Sequence, residues 1–381
     1  MGRVKSFTRI SPLLRILQLS SARAFGGGER HLADLANGLA SRGHEVFAAL
    51  RPASPLVPEL SLSASNISTF RLLNALDAFS ARKLARLVRE REIQIVHAHM
   101  ARDYPLAAYA ARSNRGSKLV ITRHVLFPLN RLHSLTLSHA ARVIAVSTGV
   151  ERALAAQQLL PTQRIVVIHN GIETSRFGNT PLTDQINFRR QWGVPEDAVL
   201  VGSVGELTPL KGHVDFLQAA AIILRSFPAA QFLIAGVDAA PGTPHLIELR
   251  KQISQLGLAD SVRVIGWVED LACLYQALDI FVSASHSESF GLAIAEAMAS
   301  GTSVVATSTE GAVEIIENDI SGRLVPIGSV NALAGAIEDL IKNESTRARL
   351  GNSGKLRIES NFSLERMVTA TEDLYRKILG E

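Results

Sequence analysis

Residues 280–301 read IFVSASHSESFGLAIAEAMASG and divide into three segments of different character. The apolar run Ile280–Ser283 leads into a polar loop, which is followed by a stretch rich in Ala, Leu, Ile and Met. A short apolar run that precedes a loop and an apolar helix is typical of the βα units of parallel sheets. Ligands of such sheets bind at the carboxyl ends of the strands, so this loop is predicted to carry functional side chains.

The same alternation extends over the whole chain and predicts two parallel sheets. The runs predicted as strands of the first sheet are Arg15–Leu19, Glu45–Leu50, Ile93–Ala98, Lys118–Thr122, Arg142–Val146 and Ile165–Ile168. Those predicted for the second are Leu200–Val204, Gln231–Ala235, Val262–Ile265, Ile280–Ser283, Ser303–Ala306 and Gly322–Val325. Residues 169–184 contain Asn170-Gly171 and Pro181 without apolar periodicity, which predicts a linker.

The chain of 381 residues is longer than the roughly 250 to 300 residues that one hydrophobic core supports. We therefore predict an α/β protein with two doubly wound domains, residues 1–172 and 173–361, that face each other across a cleft. Residues 364–379 form a long amphipathic pattern within the tail 362–381, which is able to complete the first domain, although periodicity does not define its partner. The one cysteine, Cys273, excludes an intramolecular disulfide and is predicted to be a buried thiol.

Charge is divided unevenly between the two halves of the chain. Residues 1–180 carry 24 Lys and Arg against 10 Asp and Glu, whereas residues 181–381 carry 16 against 25. The basic half suggests contact with anionic material, such as a phospholipid surface or a phosphorylated acceptor, and the alternative is simply a solvated surface. A predicted helix places Arg82, Arg86 and Arg89 together, opposite its apolar Leu84, Leu87 and Val88, and Lys83 is a further basic residue of the same helix.

Apolar runs long enough to span a membrane are not found, since none approaches roughly 20 uncharged residues. We therefore expect a cytoplasmic protein, with peripheral attachment to the inner face of the membrane through the basic half. No nucleic-acid partner is expected.

Glycines and charged residues at predicted strand ends indicate a phosphate-containing ligand. The first strand runs through Gly26-Gly27-Gly28 into a helix predicted over Glu29–Ser41, and a glycine-rich helix N-terminus favours an anion. The G-x-G-x-x-G spacing of dinucleotide-binding proteins is missing, and a merely tight turn is the alternative. Lys211 lies at the start of a second predicted helix, where its ammonium can neutralise a diphosphate or remain solvated.

The stretch 285–301 adds three amides and a carboxylate to this set. The amides of Phe290, Gly291 and Leu292 lie at the predicted helix start, where they have no partner within the helix. Glu296 lies further along that apolar helix, where a carboxylate requires hydroxyl donors such as a ribose diol.

A metal site is not predicted. His97 and His99 are close in sequence, but no third ligand of matching spacing follows, which favours a structural or acceptor-facing role. The chain also contains no Asp-x-Asp. We therefore expect no cofactor.

With these motifs, the chain resembles the retaining GT-B glycosyltransferases of family 4 over essentially its whole length. Glu288 and Glu296 match the two glutamates of the family, which are separated by seven residues. The other matching segments are Gly26–Glu29, Ile95–His99, Thr122–His124, Val146-Ser147, Asn170–Ile172 and Lys211-Gly212.

The resemblance implies roles for particular residues. Glu296 would hold the ribose hydroxyls, Lys211 would stabilise the leaving phosphate, and His124 would lie beside the reacting sugar. Contacts with the donor sugar, diphosphate and base are implied for Glu288, Phe290, Gly291, Leu292, Gly27, Gly28, Trp267 and Val268.

The function implied by the resemblance is metal-independent transfer of a sugar, with retention, from a nucleotide-diphosphate sugar to a hydroxyl acceptor. UDP is the expected nucleotide. A lipid-linked or lipopolysaccharide acceptor suits the basic first half, with small-molecule and polysaccharide acceptors as the alternatives. One position departs from the family: Glu206 stands where arginine is usual. We favour compensation by another basic residue; the alternatives are that Glu206 points away from the diphosphate or that turnover is impaired. A nucleotide-sugar epimerase and a non-catalytic nucleotide-sugar-binding protein are the alternatives.

Overall fold

The computed structural model describes residues 12–178 and 180–381 and contains two separate parallel sheets. The strands of the first are β1 (Arg15–Ser20), β2 (Glu45–Leu50), β3 (Ile67–Thr69), β4 (Ile95–Ala98), β5 (Lys118–Arg123), β6 (Ala140–Ala145) and β7 (Ile165–Val167). Those of the second are β8 (Leu200–Val204), β9 (Gln231–Ala235), β10 (Val262–Ile265), β11 (Ile280–Ser283), β12 (Ser303–Thr307) and β13 (Arg323–Val325).

Helices connect these strands and cover both sheets. Those that accompany the first sheet are α1 (Gly27–Ser41), α2 (Ala78–Glu90), α3 (Tyr104–Arg112), α4 (His133–Leu137) and α5 (Thr148–Ala156). The later helices are α6 (Leu182–Gln191), α7 (His213–Ser226), α8 (Pro244–Gln255), α9 (Leu271–Ala277), α10 (Leu292–Ala299), α11 (Ala312–Ile315), α12 (Val330–Lys342), α13 (Glu344–Asn361) and α14 (Leu364–Leu379).

The strand order locates the functional edge of each sheet. The first sheet has the order β3-β2-β1-β4-β5-β6-β7, and the second has the order β10-β9-β8-β11-β12-β13. The order reverses between β1 and β4 in one sheet and between β8 and β11 in the other. Crevices form at the carboxyl ends of strands where the order reverses, so both sheets offer a binding edge at these points.

The predicted doubly wound α/β architecture is confirmed, and most predicted strands match within two residues. Strand β3 was not predicted, because Ile67-Ser68-Thr69 is a short edge strand with one apolar residue and no alternating pattern. The predicted linker also extends too far, since α6 already begins at Leu182. Helix α1 begins two residues earlier than predicted, at Gly27.

Helix α14 returns to the first sheet after the chain has completed the second. Its Val368 packs on Gly38 of α1, where an added Cβ would lie 2.5 Å from Val368 Cγ2. Arg42 at the end of α1 forms an ion pair of 2.9 Å with Glu372. The chain passes from the first sheet to the second at Ile172 and returns at Ser363. These two residues pair in an isolated bridge, so the two connections lie side by side.

The structure also bears on the predicted burial of Cys273 and on the question of membrane-spanning helices. Cys273 is buried as predicted, with 7% of its surface exposed, and burial raises the pKa of its thiol. Within residues 12–178 and 180–381, every helix is too short or too polar to cross a bilayer.

Candidate active site

The N-termini of two helices meet in the cleft, one from each half of the chain. Helix α1 begins at Gly27 and α10 begins at Leu292, and each helix follows a glycine that provides no side-chain cap. A Cβ placed on Gly27 would lie 2.9 Å from Leu292 Cδ1, so the two helix starts are in contact. Free amides and the positive ends of two helix dipoles make this point favourable for an anion.

The loop before α10 contacts the loop that follows β8. Lys211 Nζ lies 2.5 Å from Glu288 Oε1, and the Ser285 hydroxyl donates a hydrogen bond of 2.8 Å to the same oxygen. The loops approach closely because residue 212 is glycine, with φ +63° and with an added Cβ only 1.9 Å from the Ala284 carbonyl oxygen. The structure therefore brings Lys211 and Glu288 together next to the start of α10.

Free backbone donors surround this pair. In the chain outside residues 1–11 and 179, no backbone carbonyl accepts a hydrogen bond from the amides of Phe290, Gly291 or Leu292. The Phe290 side chain is only 2% exposed and packs against Phe362, with 5.8 Å between the ring centroids. The Phe290 amide is therefore free at the start of α10, while the Phe290 ring anchors the loop.

Glu296 lies about one turn into α10 and is partly buried. The Tyr275 hydroxyl donates a hydrogen bond of 3.0 Å to Glu296 Oε2. Burial raises the pKa of Glu296 to about 7, although this hydrogen bond and the charges of Arg30 and Arg176 oppose the increase. Ligand hydroxyls that donate to this carboxylate favour its ionised form.

His124 follows β5 and lies behind the glycine loop of the first half. A Cβ on Gly28 would be 3.5 Å from His124 Cδ2, so the loop covers one side of the imidazole. Burial lowers the pKa of His124 well below its usual value, and the neighbouring His31 acts in the same direction. The imidazole is therefore neutral at physiological pH.

The two histidines at the end of β4 have different environments. His97 is fully buried between the Thr122 hydroxyl, 2.7 Å from Nε2, and the Tyr375 hydroxyl, 2.6 Å from Nδ1. His99 instead points one nitrogen at His124, with 3.2 Å between His99 Nδ1 and His124 Nε2. His97 thus joins β4 to α14, whereas His99 belongs to the group around His124.

The remaining predicted donor residues lie at the carboxyl ends of β8 and β10. Glu206 is exposed in the loop after β8. Trp267 follows β10 and is 66% exposed, while Val268 is partly buried against the core. These residues share the functional edge of the second sheet with Glu288.

Glu314 of α11 links the two halves beside the cleft. It accepts hydrogen bonds from the Thr148 hydroxyl at 2.6 Å, the Gly149 amide at 3.0 Å and His169 Nε2 at 2.8 Å. Burial acts to raise the pKa of Glu314, but the hydrogen bonds from these three groups outweigh it and hold the pKa at about 2. The ionised carboxylate therefore fastens α11 to the start of α5.

Several residues of this site were not predicted from the sequence. Tyr275, Arg30 and Arg176 act on Glu296, and Glu314 joins the halves, but none belongs to a local motif. A cluster of three histidines was not predicted either. His31 of α1 lies beside His99 and His124, although it is far from both in sequence. A signal for Glu314 is nevertheless present in the sequence, because Gly311 precedes the start of its helix. The strand, loop and helix of this segment follow one another as they do in residues 280–301.

The two sheets and the cleft between their reversal points define the GT-B class of glycosyltransferases. Two family models match the chain: Glycosyltransferase Family 4 over residues 25–176 and Glycosyl transferases group 1 over residues 184–357. The D-inositol 3-phosphate glycosyltransferase of Nocardioides sp. is 30% identical over 315 residues, which cover 75% of this chain and 68% of that protein. The chain belongs to glycosyltransferase family 4 and is a glycosyltransferase, as its motifs predicted.

Two further comparisons cover nearly the whole chain. The lipopolysaccharide core biosynthesis glycosyltransferase LpsE of Rhizobium meliloti is 28% identical over 361 residues, 93% of this chain and 96% of that protein. The crystal structure of Anabaena HepE in complex with UDP matches with a TM-score of 0.85 at 23% identity, covering 96% of this chain and 100% of that chain. This second likeness shows the GT-B fold.

Proposed function

We propose that the enzyme transfers a sugar from a nucleotide-diphosphate sugar, UDP-sugar by default, to an acceptor hydroxyl, with retention and without a metal ion. The contact between the starts of α1 and α10, beside the Lys211–Glu288 pair, carries this proposal. Two helix N-termini and an ammonium supply positive potential for a diphosphate. The UDP bound by Anabaena HepE, which has the same fold, supports the choice of nucleotide.

The reaction breaks the bond between the anomeric carbon and the diphosphate oxygen and forms one from that carbon to the acceptor oxygen. The negative charge that develops on the leaving diphosphate is stabilised by Lys211 and by the amides of Phe290, Gly291 and Leu292. The acceptor proton passes to a diphosphate oxygen. Lys211 exchanges its contact with Glu288 for one with the phosphate, which leaves Glu288 free to orient the sugar.

The other donor contacts follow from their positions around this point. Glu296 binds the ribose hydroxyls, because its carboxylate is partly buried and takes one hydrogen bond from Tyr275. The backbone of Trp267 and Val268 binds the base, and Gly27 and Gly28 cover the donor.

His124 lies beside the sugar as a neutral imidazole. We further propose that basic residues near the cleft, Arg30 and Arg176 among them, compensate for the carboxylate of Glu206. Both arginines already act on Glu296, from α1 and from the segment before α6.

We propose that the acceptor is a lipid-linked or cell-envelope glycan, bound by residues 1–172 together with the returning helix in 362–381. LpsE acts in lipopolysaccharide core biosynthesis, and it matches almost the whole chain. The surface of α2 supports attachment to the cytoplasmic side of a membrane. Its basic residues Arg82, Lys83, Arg86 and Arg89 are exposed, Lys83 lies over the exposed ring of Phe79, and the exposed apolar side chains of Leu73 and Leu76 precede the helix.

A donor screen tests the proposal. Purified enzyme is scanned for thermal stabilisation by UDP, GDP, ADP and their sugars, because a bound ligand raises apparent stability by mass action. The best donor is then incubated alone and with candidate acceptors, and products are followed by NMR to read the anomeric configuration. A changed sugar from donor alone indicates an epimerase, binding without turnover indicates a binding protein, and an inverted product excludes retention.

A further inference from the structure

Three histidines from different elements converge behind the glycine loop of the first half. His31 of α1, His99 after β4 and His124 after β5 each bring one ring nitrogen within 4.8 Å of the others. His31 is only 3% exposed, and its one polar neighbour besides the histidines that acts on its pKa is the Asn170 side chain, whose Oδ1 is close to a ring nitrogen but not at full hydrogen-bond geometry within residues 12–178 and 180–381. Asn170 can engage one ring nitrogen at most, so the other is buried without a partner, which is costly and points to a ligand.

The distances suit a metal ion coordinated by nitrogen. A tetrahedral Zn²⁺ with metal–nitrogen distances of about 2.0 to 2.1 Å places its ligand nitrogens about 3.3 to 3.4 Å apart. His99 Nδ1 and His124 Nε2 are already 3.2 Å apart, so only His31 has to move inward.

The proton positions also suit coordination. Gln18 Oε1 lies 2.8 Å from His99 Nε2 and accepts its proton, so His99 Nδ1 presents a lone pair towards His124. A histidine that donates its other N–H to a carbonyl oxygen is the usual arrangement around protein-bound metals. Besides the inward movement of His31, coordination then requires that His124 carry its proton on Nδ1 instead of Nε2. Burial lowers the pKa of His31 to about 4, so that ring too is neutral at physiological pH.

We propose that His31, His99 and His124 bind a divalent transition-metal ion, Zn²⁺ foremost, and that the bound ion inhibits glycosyl transfer. Three imidazoles favour Zn²⁺, Co²⁺, Ni²⁺ or Cu²⁺ over Mg²⁺ and Ca²⁺. Inhibition follows because coordination fixes His124 beneath Gly28 and withdraws its imidazole from the sugar. Only this inhibitory role, and not the metal site itself, rests on the proposed function. The positive end of the α1 dipole opposes a cation, which makes the site weaker than a structural zinc site.

Cobalt provides a probe that reports binding independently of activity. The full-length enzyme is freed of metal with EDTA, dialysed and titrated with CoCl₂ while the visible d–d absorption is recorded. We expect intense bands typical of four or five ligands, saturation at one equivalent and loss of the bands on addition of ZnCl₂. His31→Gln and His99→Gln should each weaken Co²⁺ binding by about tenfold or more.

The matched control is His139→Gln, since His139 is an exposed histidine that pairs with Arg112 outside this group. It should retain both the Co²⁺ bands and their midpoint. Thermal melting verifies that each variant is folded, and two ligand variants are used so that one misfolded protein does not decide the outcome. Weak octahedral-type bands, or equal titrations of wild type and both ligand variants, would overturn the site.

Inhibition is measured separately, with the donor and acceptor that the donor screen finds. Zn²⁺ should inhibit wild-type transfer with a midpoint equal to the Zn²⁺ dissociation constant that is calculated from its displacement of Co²⁺, and His31→Gln should need about tenfold more Zn²⁺. Normal Co²⁺ bands with transfer unaffected by Zn²⁺ would overturn the inhibitory role and leave the metal site intact. An enzyme that binds Co²⁺ but transfers no sugar under any condition contradicts the proposed function instead.

Discussion

Gly27 of α1 lies against the Leu292 side chain of α10 across the cleft, where a Cβ on Gly27 would lie 2.9 Å from Leu292 Cδ1. These residues begin the two helices whose amides face the proposed diphosphate. A side chain at position 27 therefore has to displace the Leu292 side chain from its place beside this point. The contact makes the proposed donor site dependent on both halves of the chain.

Replacement of Gly27 tests this dependence. Gly27→Ala should lower kcat/KM by roughly threefold, less than about 1 kcal/mol in the transition state, because the added methyl group displaces the Leu292 side chain. Leu292→Ala removes Cδ1 but keeps the backbone amide, so the double variant should recover part of the loss, as a double-mutant cycle would show. Gly116→Ala is the control, because a Cβ there meets nothing within 4 Å. Equal activities of Gly27→Ala and Gly116→Ala would contradict the contact's role.

The two glutamates of the 288–296 motif should separate binding from transfer. Glu296→Ala should weaken the affinity for free nucleotide, since the carboxylate next to Tyr275 is proposed to bind ribose. Glu288→Ala should mainly lower kcat, because Glu288 contacts Lys211 rather than the nucleoside. Isothermal titration with UDP and steady-state kinetics measure the two effects. The assignment is wrong if both variants lose the same affinity for free nucleotide.

The link through Glu314 predicts a pH dependence of stability. Its pKa of about 2 lies below the usual value of 4.5, so the ionised form stabilises the folded state, fully above pH 4.5 and progressively less as pH falls towards 2. Glu314→Gln should therefore lower the free energy of unfolding at neutral pH, by at most roughly 3 kcal/mol. That difference from wild type should shrink below pH 4.5, as urea unfolding at several pH values would measure.

Glu310→Gln serves as the control for this experiment. Glu310 lies in the same segment, but its side chain is half exposed in an ion pair with Arg152, so its loss should change stability little. A Glu314→Gln deficit that stays constant from pH 7 to pH 3 would show that the variant acts through packing rather than ionisation.

Transfer should continue in excess EDTA. Lys211 and the helix-start amides are proposed to do what a divalent ion does in metal-dependent glycosyltransferases. Initial rates are compared with and without EDTA, after which Mg²⁺ or Mn²⁺ is added to the EDTA sample. Loss of activity that either ion restores would show that the diphosphate needs a metal. A rate increase in EDTA would instead agree with relief of inhibition at the histidine site.

The basic surface of α2 should bind vesicles that contain anionic lipid. Binding should fall as salt rises, because exposed charges are screened over about 10 Å at 0.1 M salt. Replacement of Arg82, Lys83, Arg86 and Arg89 by glutamine should reduce co-sedimentation. Neutral vesicles should bind poorly.

A control variant with equal charge loss separates this surface from net charge. Glutamine replaces four exposed basic residues of the acidic half, Arg190, Arg225, Arg250 and Lys251. This variant should sediment with anionic vesicles as wild type does. If both variants bind equally, α2 is not the membrane contact and the charge asymmetry has another cause.

Local pattern predicted the elements but not all their ends or partners. The strands β8 to β11 match the predicted runs, because each is a short, largely apolar segment, and glycine directly follows the first three, at Gly205, Gly236 and Gly266. β3 was missed since its burial is too slight to require an apolar pattern. Helix α14 was predicted with its bounds, yet its packing on α1 depends on contacts such as Val368 with Gly38, which periodicity does not encode.

The sequence by itself determined the two-sheet α/β plan, the family and the residues that stand at strand ends, because these depend on short-range patterns of burial, glycine and charge. Only the tertiary structure decided which of these residues meet. Lys211 contacts Glu288, His31 joins His99 and His124, and Glu314 fastens the halves. Such contacts depend on how strands and helices distant in sequence pack together. A local pattern, such as the strand-loop-helix form before Glu314, places a residue at a helix start but does not give its partner.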